Sequence, residues 1–151
     1  QAKVDVNSKT NYGVTPLHEA KVDVNAKDDN GETPLYRAAE WGRLDVVKYL
    51  VEQGRVDVNA KNDNGWTPLH TAAVGGDLEV AKCLVEQAKV DVNAKSNDGE
   101  TPLHMAAETE AVDLVRYLIH EAGTDVNAQN KDGKTPIDVV CSSEDADEEH
   151  K

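Results

Sequence analysis

Val56-Asp57-Val58-Asn59-Ala60-Lys61-Asn62-Asp63-Asn64-Gly65-Trp66-Thr67-Pro68-Leu69-His70 decides the fold, because the chain writes this phrase again and again with few changes. Thr-Pro-Leu stands at Thr15, Thr33, Thr67 and Thr101, Thr135-Pro136-Ile137 continues it, and the last three steps are 34 residues each. A fixed period of this size marks stacked repeats, in which each unit is too small to bury its own apolar face.

Each part of the phrase has a local meaning. Asp29-Asn30-Gly31, Asp63-Asn64-Gly65 and Asn97-Asp98-Gly99 are turn sequences whose glycine accepts positive φ, so each marks a tight finger. Thr33, Thr67 and Thr101 are N-cap residues, each followed by a proline at the first helical position, where the missing N–H costs nothing. Leu35, Ala38 and Ala39 follow at helical spacing until Gly42 stops the first helix, and Leu44, Val47, Leu50 and Val51 stripe a second. These helices of about eight to ten residues fall below the ~12–15 at which isolated helices become stable, so stacking must supply the missing burial.

This turn, helix, glycine, helix unit with Thr-Pro-Leu-His resembles the ankyrin repeat over residues 1 to about 141. The resemblance implies an all-α solenoid of helix-turn-helix repeats with short β-hairpin-like fingers. The expected organisation is an array over 1–141, with a truncated repeat at 1–20, full repeats at 21–54, 55–88 and 89–122, and a terminal half-repeat at 123–141. An acidic, disordered tail is expected at 142–151, where Ser142-Ser143-Glu144-Asp145 opens a run without an apolar stripe.

Three departures from the family pattern carry expectations of their own. The period exceeds the usual ~33 by one residue, and a slightly longer loop before Asp57, Asp91 or Asp125 should absorb it. Glu110 stands where Gly42 and Gly76 stand, so an altered turn is expected there. The step from Thr15 to Thr33 is 18, which is 34 − 18 = 16 residues short, so the first repeat should lack its second helix. Either the array is truncated after Ala20 or residues are absent from the sequence.

Composition narrows the function. The net charge of −13 repels a phosphate backbone, which argues against nucleic acid. No apolar run exceeds three residues, which argues against a membrane span of ~20. Cys83 and Cys141 are too few for a disulfide framework, so a reducing, cytoplasmic setting is expected. No phosphate-binding glycine loop occurs and the carboxylates form no acid and base pair, so neither cofactor nor catalysis is expected. His18, His70 and His104 recur in register, but neighbouring helices lie ~8–10 Å apart and zinc needs its ligands at ~2 Å, so they are not a metal site. The resemblance implies that they hydrogen-bond the capping Thr, and that Asn25, Asn59, Asn93 and Asn127 tie the turns, although such asparagines are hydroxylation substrates in some family members.

The resemblance further implies a protein-binding scaffold whose finger tips and outer first-helix face form a concave partner surface. By position that surface comprises Lys27, Asp29, Asn30, Glu32, Arg37, Glu40, Trp41, Asp63, Asn64, Trp66, Thr71, Val74, Asn97, Glu100, Met105 and Glu108. Arg37, Trp41, Trp66, Thr71 and Met105 are the expected centre, since Trp and Arg dominate binding hot spots. A basic and apolar epitope on another protein is the expected partner, and the isolated chain is expected to be a monomer. Two other readings stand beside this one: a regulatory or targeting segment of a larger enzyme, and a spacer that self-associates through raw repeat ends.

Overall fold

The computed structural model describes residues 23–140. Three helix pairs follow one another: α1 (Pro34–Glu40) with α2 (Leu44–Gln53), α3 (Pro68–Val74) with α4 (Leu78–Lys82), and α5 (Pro102–Glu108) with α6 (Val112–His120). A π-helical turn, Cys83–Gln87, prolongs α4, and residues 136–140 open a further helix. The first helices form one layer, α1 on α3 on α5, and the second helices form another, α2 on α4 on α6. Leu35, Leu69 and Leu103 of the first layer and Val47, Val80, Leu114 and Leu118 of the second meet in one core. Among the described residues no helix is long and apolar enough to cross a membrane.

The fingers are turns rather than strands among the described residues. Within each, one pair of backbone bonds closes the tip: Asn62 N–H donates to Trp66 O at 2.9 Å and Gly65 N–H to Asn62 O at 2.9 Å. Between fingers a single backbone bond runs from Asp63 N–H to Asn30 O at 3.1 Å, and from Asn97 N–H to Asn64 O at 3.0 Å. Glycine is required at the tip because a Cβ on Gly65 would lie 2.7 Å from the Asn97 backbone nitrogen.

Two expectations are corrected. In the second and third full repeats the thirty-fourth residue is absorbed by widening the end of the second helix, not by a longer loop: Ala88 N–H reaches back five residues to Cys83 O, and Ala122 N–H likewise to Tyr117 O, whereas α2 ends at Gly54, whose N–H bonds Val51 O. Glu110 does not alter its turn. It takes φ 59° beside the 68° of Gly42 and 65° of Gly76, and Ala111 N–H bonds Ala106 O as Arg43 N–H bonds Ala38 O. The turn geometry wins, and the side chain bears the left-handed strain of ~1–2 kcal/mol. His18, the step from Ala20 to Lys21, Cys141 and the tail at 142–151 lie outside the described residues.

Candidate partner-binding site

Residues that recur in every repeat are occupied in holding one repeat to the next. Asn25, Asn59 and Asn93 accept from the backbone N–H of Asp57, Asp91 and Asp125 at 2.7, 2.8 and 2.7 Å. The ammonium groups of Lys27, Lys61 and Lys95 donate to the carbonyls of Lys61, Lys95 and Gln129. Lys27, assigned to the partner surface by position, is therefore also a rung of the inter-repeat ladder.

The histidines work in the same way. His70 Nε2 lies 2.7 Å from Glu100 O, a carbonyl that can only accept, so Nε2 carries the proton. Nδ1 then accepts from Thr67 N–H at 3.1 Å and from the Thr67 hydroxyl at 2.9 Å. His104 repeats this with Thr101 and Lys134 O. Each ring thus locks its own helix cap to the next finger. Burial holds the His70 imidazole down to about 4, so it is neutral at physiological pH. Tyr36, which interrupts the histidine series, faces Thr71 of the next repeat, and burial pushes its phenol up to about 12.

That contact bears on the expected centre of the partner surface. Thr71 and Met105 are buried, Met105 to 3% exposure within the core cluster, so neither offers surface to a partner. Both occupy the first-helix register of Arg37, and that register faces the preceding repeat rather than solvent. Trp66 is half-buried, packs on the core and stacks on the His70 ring at 6.2 Å between centroids, so the repeat does use it for stacking.

Arg37 and Trp41 do come together, lining a shallow pocket with Pro34, Ala38, Arg43 and Val46, and Trp41 is 64% exposed. The Arg37 guanidinium is held by Asp28 at 2.8 Å, Glu32 at 3.3 Å and Glu40 at 3.8 Å. One cation among three carboxylates leaves the surroundings negative. Asp28 is held below the usual carboxylate range, chiefly by the backbone N–H of Glu32.

The remaining assigned residues are accessible. Asp29, Asn30, Asp63, Asn64 and Asn97 are exposed on the fingers, Glu32 and Glu100 are half-buried behind them, and Glu40, Val74 and Glu108 form an exposed row at one register of the first helices. Burial pushes the Glu100 carboxyl up, with Glu108 adding repulsion. Sequence reasoning passed over Val46 and Tyr49, which the structure leaves exposed on α2; the short step between Thr15 and Thr33 was the signal.

Among the described residues no three His, Cys, Asp or Glu side chains cluster as a metal site would. Cys83 is a buried free thiol whose pKa burial raises, the opposite of what a nucleophile needs. Comparison with curated protein sequences gives no match. A family profile described as ankyrin repeats (3 copies) matches residues 1–62, 14–96, 53–130 and 88–148. That match spans the stacked helix pairs and their Thr-Pro caps, and the chain belongs to the ankyrin-repeat family.

Proposed function

We propose that the chain is a non-enzymatic scaffold that binds another protein along its finger tips and the outer face of its first helices. Ankyrin repeats are generally protein–protein interaction modules and are typically non-catalytic. The observation that carries the choice of face is a division of labour. Residues that recur across the repeats, such as Asn25 and Lys27, are taken up by stacking bonds, whereas the fingers and the row of Glu40, Val74 and Glu108 are exposed and differ from repeat to repeat. Stacking does not constrain those side chains, so recognition is free to set them.

The charge of this face selects the partner's chemistry. Glu40 and Glu108 share the register of the aliphatic Val74, and Asp29 and Asp63 are exposed on the fingers, which suits an epitope with Lys or Arg around an apolar side chain. Such charges speed encounter and exclude acidic partners more than they tighten the complex.

The test is a combined Glu40→Lys, Val74→Lys, Glu108→Lys variant, assayed against a partner isolated on the unaltered chain. Affinity should fall by at least ~10-fold, as for loss of an interface centre, while the thermal midpoint stays within a few degrees. Unchanged binding would move the site elsewhere.

A further inference from the structure

One register of the second helices is buried in two repeats and bare in the third. Val80 and Leu114 are buried, and Cys83 and Tyr117 are each 4% exposed, yet their equivalents Val46 and Tyr49 are 41% and 48% exposed. The segment that covers Tyr117 belongs to the repeat before it. Glu86 accepts the phenol proton at 2.8 Å, and the Lys82 ammonium lies 5.7 Å from the ring centroid. For Tyr49 the corresponding segment would be the second helix of the first repeat, which the 18-residue step from Thr15 to Thr33 omits.

We propose that Val46 and Tyr49 of α2, with Trp41 beside them, form a docking site for an amphipathic helix of another protein, one that carries a Lys or Arg and a carboxylate four residues later along an aliphatic stripe. This site adjoins the finger and first-helix face at Trp41 but uses none of Glu40, Val74 and Glu108. The occupant's chemistry is set by the array's own interface: aliphatic residues to cover Val46, a cation over the Tyr49 ring, and a carboxylate to receive its hydroxyl.

A second copy of the chain fits less well. The second helix that leaves large apolar residues exposed on its own flank is α6, with Val112 and Ile119, and at the positions of Lys82 and Glu86 it has Arg116 and His120. It offers the cation but no carboxylate for the phenol.

The probe is a stapled helical peptide with the sequence of residues 78–88, stapled because so short a helix is marginal alone. Calorimetric titration into the full chain should give saturable one-to-one binding. Tyr49→Ala should weaken it at least ~10-fold and Tyr49→Phe, which keeps the ring and loses the hydroxyl, only a few-fold. A Val85→Asp peptide should not bind. Tyr49 is exposed, so circular dichroism should show both protein variants folded.

Absence of saturable binding, or binding indifferent to Tyr49→Ala, would overturn the proposal. So would sedimentation equilibrium showing that the chain alone associates through Tyr49, which would make a second copy the occupant. The lysine variant of the finger and first-helix face should bind the peptide normally, so failure of either site is seen independently of the other.

Discussion

Tyr49 and Tyr117 are the same residue at the same register of equivalent helices, and they live in different surroundings. Tyr117 is enclosed by Lys82 and Glu86, while Tyr49 stands 48% exposed at the edge of the second-helix layer. The first-helix layer shows the same contrast, with Arg37 exposed where Thr71 and Met105 are buried. A residue's place in a repeat fixes the direction in which it points. Whether that direction is core or surface depends on the next unit along the stack, because each repeat contacts only its neighbours.

The sharpest break of this comparison is a matched pair of truncations. Tyr117→Ala removes a buried ring and strands the Glu86 contact, and should cost about 4 kcal/mol in urea unfolding. Tyr49→Ala should cost less than ~1 kcal/mol, the range of surface changes. Equal losses would mean that Tyr49 is covered after all.

Acid should act on the interior rather than on the edge. His70 is held down to about 4 in the folded chain, against ~6.5 unfolded. As pH falls, the unfolded chain takes up the proton first, so stability present above pH ~6.5 is lost progressively toward pH ~4, by about 3 kcal/mol. The loss follows from the geometry, since a proton on Nδ1 would face the Thr67 N–H donor. Urea unfolding at pH 7 and pH 4.5 checks it, and a His70→Gln variant should show a flatter profile over that window.

The smallest effect concerns the turns between paired helices. Glu110 holds φ 59° where two other repeats use glycine, so Glu110→Gly should stabilise by ~1 kcal/mol through relief of left-handed strain, net of the entropy glycine adds to the unfolded chain. Gly76→Ala should destabilise by a similar amount, its added Cβ meeting only the Ala111 methyl at 3.4 Å. A neutral or harmful Glu110→Gly would show that the glutamate contributes something beyond its backbone.

Much of the exposed, variable surface proposed as the partner face was legible in the sequence for a related reason. Comparing one repeat with the next separated Thr67, His70 and Asn59, which recur, from Asp29, Val74 and Glu108, which vary. It failed at Thr71 and Met105, which also vary but point into the neighbouring repeat, and at Trp66, whose size hid that half of it rests on His70 and the core. Variation between repeats marks freedom from one stacking bond, and a position that varies can still be spent on the neighbouring repeat, as Thr71 is against Tyr36.

The sequence by itself determined the repeat, the caps, the turns and the stacked architecture, because Thr-Pro, Asp-Asn-Gly and the leucine and alanine spacing act through backbone geometry and contacts within a single unit. Tertiary structure alone decided how the extra residue is taken into the helix end at Ala88 and Ala122, that Glu110 is forced into a glycine conformation, and that Met105 is core while Tyr49 is surface. Those outcomes depend on where the adjacent repeat sits, since packing against it fixes both the backbone path and the side of each helix that loses its water.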